Sequence, residues 1–388
     1  PPPPPRPPPP PPPAPPPPPR SARKTRNKIL FCLLIIALFF CSISYKFYRT
    51  VYKSYKSYAN LIARAEESKA SDFEIIKRRE NDRDIRVVII GESVRKDYLS
   101  VYGYPHKTTP FLDGANGIFI DSMIAPAAST MASLSRALTA KEGDKIYWSR
   151  TVVDLANQTG HETHWLSNSG FSGKTSSAVS IIALRADRQN FLNANESVDS
   201  GAKDDFEFLN EFETILQSSF ERPKLVFLHM AGSHAPACNR LYAFNNRYSL
   251  PYGKEHNCYL ATIEKLDSFI EKLTEKMNQS KLNWSLVYFS DHGEGHYGAK
   301  GDIGLRHDGS KKQGYEVPLF VIDSLSTDHI VLNRRVSGER FIDLFASWIG
   351  VETDKTDSNY TFYDFPEDRN ITTPNGDFDD LKDDPALY

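Results

Sequence analysis

At three places in this chain, carboxylates and imidazoles stand directly behind short apolar runs. Arg86-Val-Val-Ile-Ile-Gly91 leads into Glu92 and Ser93, and Lys224-Leu-Val-Phe-Leu-His229 leads into Met-Ala-Gly-Ser-His234. The third run, Trp284-Ser-Leu-Val-Tyr-Phe-Ser290, leads into Asp291-His292-Gly293-Glu294. Glu92, Asp291, His292 and His234, with His307 further along, are candidate metal ligands, and a nitrogen and oxygen set of this kind suits zinc or manganese. Taken singly, each has an ordinary explanation: Gly-Glu-Ser as a helix cap, Asp-His-Gly as a turn, a lone histidine as a hydrogen-bonded polar residue. Only convergence of all three runs at one place makes a metal site.

A metal site needs a reaction. Ala128-Ser-Thr-Met-Ala-Ser-Leu-Ser-Arg-Ala-Leu-Thr139 offers a hydroxyl at a helix start. A Ser or Thr there can be ionised by a bound metal, while backbone N–H groups and the helix dipole hold a phosphate or sulfate. Equally, Ser129 caps the helix and Thr130 is an ordinary first-turn residue. Spacing alone leaves both open.

The elements that must position these groups are legible in outline. The three runs are short, largely apolar and rich in β-branched residues, as strands buried on both faces of a parallel sheet are. Residues 151–159, 204–219 and 259–277 place apolar side chains three and four apart, as crossover helices do. The alternation predicts an α/β domain over residues 86–350 with helices on both faces, whose ligand site lies beyond the carboxyl ends of the strands.

The 388 residues, 40% apolar and 25% charged, suffice for one large core or two ordinary ones. Residues 1–56 hold ten Lys and Arg and no acid, so a net charge of −2 leaves −12 on the rest. An acidic body of this kind is a poor nucleic-acid binder. Of the 27 prolines, 17 fall in residues 1–19, which read as polyproline II and with the basic residues to 28 make a cytoplasmic arm. Residues 29–45 carry no charge and predict one transmembrane helix rather than a cleaved signal peptide. The flanking charges lean toward an inside amino terminus, which leaves the body outside the cytosol. Residues 46–85 read as a stalk, either an interfacial helix or a solvated spacer. Cys238 and Cys258, the only cysteines beyond the apolar segment, read as a disulfide of an oxidising compartment, with two free thiols as the alternative. Residues 351–388 are acidic and turn-rich and receive no chemistry. The chain begins without Met, as a fragment or processed product would.

With these motifs in order, the sequence resembles the membrane-anchored phosphoethanolamine transferases of Gram-negative bacteria, in the alkaline phosphatase and sulfatase superfamily. The resemblance covers about residues 85–325. It is carried by Val88-Ile-Ile-Gly-Glu-Ser-Val-Arg95, Tyr102-Gly-Tyr-Pro105, Thr109-Pro-Phe-Leu112, Trp165-Leu-Ser-Asn168, His229-Met-Ala-Gly-Ser-His234, Asn257-Cys-Tyr259 and Phe289-Ser-Asp-His-Gly-Glu294. It implies an alkaline-phosphatase-like, mostly parallel sheet, and one or two zinc ions with manganese as the alternative. It makes Thr130 the nucleophile, followed by Ser133, and Glu92, Thr130, Asp291 and His292 the ligands of a first zinc. His234 and His307 would serve a second metal or the transferred phosphate, with His296 competing for the place of His307. His229 would contact substrate and Asn168 would hold the phosphoethanolamine.

The reaction implied is a two-step exchange. The Thr130 oxygen attacks phosphatidylethanolamine, diacylglycerol leaves, and a hydroxyl of a periplasmic glycan or lipopolysaccharide takes the group from phospho-threonine. The implied location is the bacterial inner membrane, with a single span and a periplasmic catalytic domain in contact with membrane lipid. Sulfatases share the fold but use a Cys/Ser-x-Pro-x-Arg motif; ending it at Arg136 puts Ala132 and Leu134 where Cys or Ser and Pro belong. Phosphoglycerol transfer, phosphodiester hydrolysis and a non-catalytic metal-binding tether are the remaining readings.

Overall fold

The structure is a computed structural model and describes residues 20–41, 45–52, 55, 56, 59, 71, 73–80, 82–143, 145–170, 177–193 and 201–388. It divides into two compact units, residues 1–60 and 61–388. The proline arm lies outside the described residues.

In the first unit, helix α1 (Arg20–Cys41) covers the apolar segment. Five basic residues occupy its start, so only residues 29–41 of it are free of charge. No helix among the described residues is long and apolar enough to cross a membrane, which leaves the expected span unsupported in that form. Residues 42–44 of that span lie outside the described residues, and helix resumes over 45–52.

The second unit is built on an eight-stranded sheet: β1 (Ile85–Gly91), β2 (Gly117–Ile124), β3 (Glu162–Ser167), β4 (Arg188–Phe191), β5 (Lys224–His229), β6 (Trp284–Ser290), β7 (Glu316–Asp323) and β8 (His329–Ser337). The spatial order is β8-β2-β7-β6-β1-β5-β3-β4. Only β7 runs against its neighbours, so the sheet is mixed but mostly parallel. The three apolar runs of the sequence are the adjacent strands β6, β1 and β5. Their register aligns Ile90 with His229 on one side and Phe289 on the other, so the polar clusters that follow begin at the same level.

Around the sheet pack α2 (Thr130–Ala137), α3 (Val152–Gln158), α4 (Ala178–Ala183), α5 (Phe208–Gln217), α6 (Lys254–Ser280) and α7 (Phe341–Trp348). Successive residues of a strand point to opposite faces. Val88, Ile90, Phe227 and Phe289 accordingly join α2, α3, α4 and α7 in one core, while Val87, Ile89, Val226 and Leu286 join α5 and α6 in another. Each such side chain contributes about 1.5–3 kcal/mol when fully buried. Two cores sandwiching a continuous apolar sheet make the strand ends a rigid platform. Helix α3 starts where the sequence places it because Thr151 and Asp154 form a capping box.

The boundaries of the body differ from the sequence reading. Phe73 is buried, and Ile75–Arg78, assigned to the stalk, pairs with Val351–Thr353, assigned to the acidic tail. Tyr360, Phe362, Phe365 and Phe378 are also buried, so the tail is part of the fold. Charge and turn content conceal this because the apolar residues are widely spaced and their partners are distant in sequence. Cys238 and Cys258 form a disulfide that joins the loop after β5 to α6.

Candidate metal centre and active site

Beyond the ends of β1 and β6, four side chains meet. The Nε2 of His292 lies 3.4 Å from Glu92 Oε1, 3.3 Å from Asp291 Oδ2 and 3.4 Å from Thr130 Oγ1. Thr130 Oγ1 donates a hydrogen bond to Glu92 Oε2 at 3.0 Å. On the far side of the ring, His292 Nδ1 is 2.7 Å from the Gly293 carbonyl, which fixes the proton on Nδ1 and turns Nε2 toward the oxygens. Glu92, Asp291 and His292 are all buried.

The backbone that holds them is specialised. Ser93 is left-handed at φ 62°, a conformation that strains a non-glycine residue. In return its N–H donates to Asp291 Oδ1 at 3.0 Å and its hydroxyl to Glu92 Oε1 at 2.7 Å, tying the two strand ends together. Asp291 Oδ1 also accepts the N–H of His292. Ser133, one turn into α2, bonds the Asp291 carbonyl and so fixes the helix start against β6. Ser129 precedes α2 without a side-chain cap, which leaves Thr130 as the first helical residue.

A second group shares Glu92. Ligand atoms of Glu92, His234 and His307 fall within 4.8 Å of one another, as do those of Glu92, Asp291 and His292. His234 reaches the site on a loop that Gly232 lays against Glu92: a Cβ there would stand 2.8 Å from the Glu92 carbonyl, and its φ is +50°. His307 follows the hairpin of Gly295–Ala299 and Asp302–Arg306. His296, its competitor, is elsewhere, 2.6 Å from the Tyr98 hydroxyl and 3.1 Å from Asp384.

These residues fit a divalent cation. Asp291 Oδ2 is buried and accepts no hydrogen bond among the described residues. Burial and the charge of Glu92 push the Asp291 carboxyl up to about 7, while Asp291 and Glu92 outweigh burial and lift His292 to about 10. Glu92 is held well below the usual carboxylate range: burial opposes ionisation, but the His292 hydrogen bond and charge prevail. Excess buried negative charge leaning on one imidazolium is the electrostatic signature of a cation site.

Beside Thr130 opens a cavity of about 180 Å³, lined among others by Met131, Trp165, Ser167, His229 and His234. His229 is buried, its Nδ1 3.3 Å from Ser167 Oγ and its Nε2 without a hydrogen-bond partner among the described residues. Burial drives its pKa down to about 4, so it is a neutral imidazole. Asn168 does not line this cavity. Its amide donates to the Lys203 carbonyl and Asp205 and accepts from the Lys203 N–H, which uses the side chain to hold a loop. Asp205 in turn accepts the N–H groups of Ala231 and Gly232, under His234.

Sequence reasoning passed over Glu294 as a site residue. It is buried, with its Oε1 3.9 Å from His307, and burial followed by neighbouring carboxylates raises its pKa to about 8. The signal was present, since Glu294 closes the polar cluster after β6.

Fold and site together define the class. The chain matches the sulfatase family over residues 85–351 and belongs to it. Among curated relatives, it is 35% identical to phosphoethanolamine transferase OpgE of Escherichia coli strain K12 over 279 residues, 71% of this chain and 52% of OpgE. The chain therefore spans about half the length of that relative. Among solved structures, the C-terminal periplasmic domain of EcEptC from Escherichia coli, in complex with Zn, superposes with a TM-score of 0.67 at 23% identity, over 80% of this chain and 96% of that one. A protein of the alkaline phosphatase superfamily from Vibrio parahaemolyticus aligns with a TM-score of 0.53 at 16% identity, over 81% of this chain and 79% of that one. The last two likenesses establish an alkaline-phosphatase-like α/β fold.

Proposed function

We propose that this protein is a zinc-dependent phosphoethanolamine transferase that moves the group from phosphatidylethanolamine to a hydroxyl of a periplasmic glycan or lipopolysaccharide, through phospho-threonine at Thr130. The observation that carries the reading is the meeting of the Thr130 hydroxyl with Glu92, Asp291 and His292 at the start of α2. The name of the 35% identical relative and the zinc complex of the EcEptC domain agree with it.

Glu92, Asp291, His292 and Thr130 would hold one zinc, and His234 and His307, with Glu92, a second. Zinc bound there lowers the pKa of the adjacent hydroxyl and offsets charge on the phosphoryl oxygens. The chain's own residues do the rest. Glu92 Oε2 receives the Thr130 hydroxyl's hydrogen bond and orients the oxygen for attack. In the first step the Thr130 hydroxyl gives up its proton as the Thr130 oxygen–phosphorus bond forms, the phosphorus–oxygen bond to diacylglycerol breaks, and the leaving oxygen takes up one proton, so that none is gained or lost. In the second, the acceptor oxygen bonds to phosphorus, Thr130 leaves, and the acceptor's proton returns to the threonine oxygen. The cavity beside Thr130 would take the headgroup, with the neutral His229 as a hydrogen-bonding contact. Asn168, rather than touching substrate, would position the loop beneath His234.

The apolar side chains of α1 from Ile29 to Leu38 are exposed, which favours a lipid environment for the first unit. We place the body in the periplasm on the inner membrane, in reach of a lipid donor. The test is release of diacylglycerol from phosphatidylethanolamine vesicles by the zinc-loaded chain. Release that stops on chelation and resumes with zinc supports the reading; release from phosphatidylglycerol alone would move it to phosphoglycerol transfer.

A further inference from the structure

Residues 382–388 cross the domain as a strap beside the metal centre. Lys312 N–H donates to the Lys382 carbonyl, and Gln313 brackets the next two residues, donating to Asp383 and accepting the N–H of Asp384. Further along, Leu387 N–H donates to the Tyr98 hydroxyl and the Leu387 carbonyl accepts from Tyr104. The strap is thus pinned at both ends, to the loop after His307 and to the segment after Glu92.

Asp384 is its centre. One carboxylate oxygen accepts the His296 N–H at 2.8 Å and lies 3.1 Å from His296 Nδ1 and 3.4 Å from Arg95. Its carbonyl accepts from Arg95 at 2.5 Å. Arg95 is wholly buried and also pairs with Asp97 at 2.6 Å. It also reaches the Glu294 carbonyl at 3.4 Å and His296 Nδ1 at 3.3 Å. Together with Arg95 and Tyr98, which reach His296 directly, this carboxylate joins the segment after Glu92 to the hairpin that begins at Gly295 and ends at Arg306, immediately before His307. The loop that follows is packed without slack: a Cβ on Gly293 would stand 2.0 Å from the Gln313 carbonyl, and Gly293 N–H bonds Gly314.

We propose that Asp384 is a positioning residue for the second metal position, and that the strap holds His307 in reach of Glu92 and His234. This rests on the reading of the cluster as a two-metal centre. Asp291, His292 and Thr130 are fixed from β1, β6 and α2, and the strap reaches them only at one remove, through Gln313 against Gly293, so the group containing His307 depends on it most. Charged hydrogen-bond partners behind a ligand commonly set metal affinity by 10–100-fold.

The test is zinc titration of the full-length metal-free chain by calorimetry, with bound zinc counted by mass spectrometry, for the parent, Asp384→Ala and Asp384→Asn. The parent should bind two zinc ions. In Asp384→Ala the weaker step should lose about 10–100-fold in affinity while the tighter step is unchanged, with Asp384→Asn between. A uniform structural defect would weaken both steps. If Asp384→Ala does not fold, Asp384→Asn alone decides by the same split. Two zinc ions bound with parental affinity in the variants would overturn the role of Asp384 and leave the metal reading intact. A parent that binds none would overturn both.

Discussion

Thr130 Oγ1 donates to Glu92 at 3.0 Å, and Glu92 is the one side chain common to both candidate ligand groups. The Thr130 hydroxyl and the two candidate ligand groups are thereby joined through a single buried carboxylate. Glu92→Gln should weaken both zinc-binding steps by more than the roughly 10–100-fold that loss of an outer partner costs. His307→Ala should weaken one. Competition with a chromophoric chelator distinguishes the two patterns.

Asn168 separates a contact with substrate from a structural brace. Asn168→Ala leaves Asp205 and the Lys203 backbone short of partners, so stability should fall by about 1–3 kcal/mol. Denaturant unfolding measures this. The donor KM should change less than the turnover number, because the loss reaches the site through the loop under His234.

A pH dependence follows from Asp267. Its carboxylate accepts the N–H groups of Phe111 and Leu112, yet burial raises its pKa to about 7. A carboxyl whose pKa is raised on folding favours the folded state at low pH, and that contribution is lost as pH rises through the folded value. Between about pH 4 and 7 the parent should therefore lose stability that Asp267→Asn does not lose. The melting temperature of the variant, relative to the parent, should be higher at pH 8 than at pH 5; a difference independent of pH would contradict the assignment.

The disulfide closes a loop over 20 positions. Removing it by Cys238→Ser with Cys258→Ser should cost about 3 kcal/mol, since a loop of this length gains conformational freedom mainly in the unfolded chain. Melting of the double variant, compared with the oxidised parent, checks the figure.

The central strands were legible because β1, β5 and β6 are apolar through their middles and end in polar clusters, so Glu92, Asp291, His292 and His234 could be read from the chain. Convergence at one sheet edge was expected from three buried strands, but which side chains meet there depends on strand order and was not legible. His307 and Thr130 were only candidates by pattern and took their roles from the resemblance, because one follows a hairpin with little apolar content and the other starts a short helix. The pairing of Ile75–Arg78 with Val351–Thr353 was hidden because two short, largely polar segments meet across most of the domain's sequence. The partners of Asn168 were hidden for a related reason: its motif lies at the end of β3, and the loop its amide holds is distant in sequence.

The central claim is that Thr130 carries the transferred group. Peptide mass spectrometry of the zinc-loaded chain, incubated with phosphatidylethanolamine and no acceptor, tests it most directly. The account predicts one phosphoethanolamine on Thr130, absent in Thr130→Ala and removed when an acceptor glycan is added. Diacylglycerol released without any adduct on Thr130, or at the parental rate by Thr130→Ala, would contradict it.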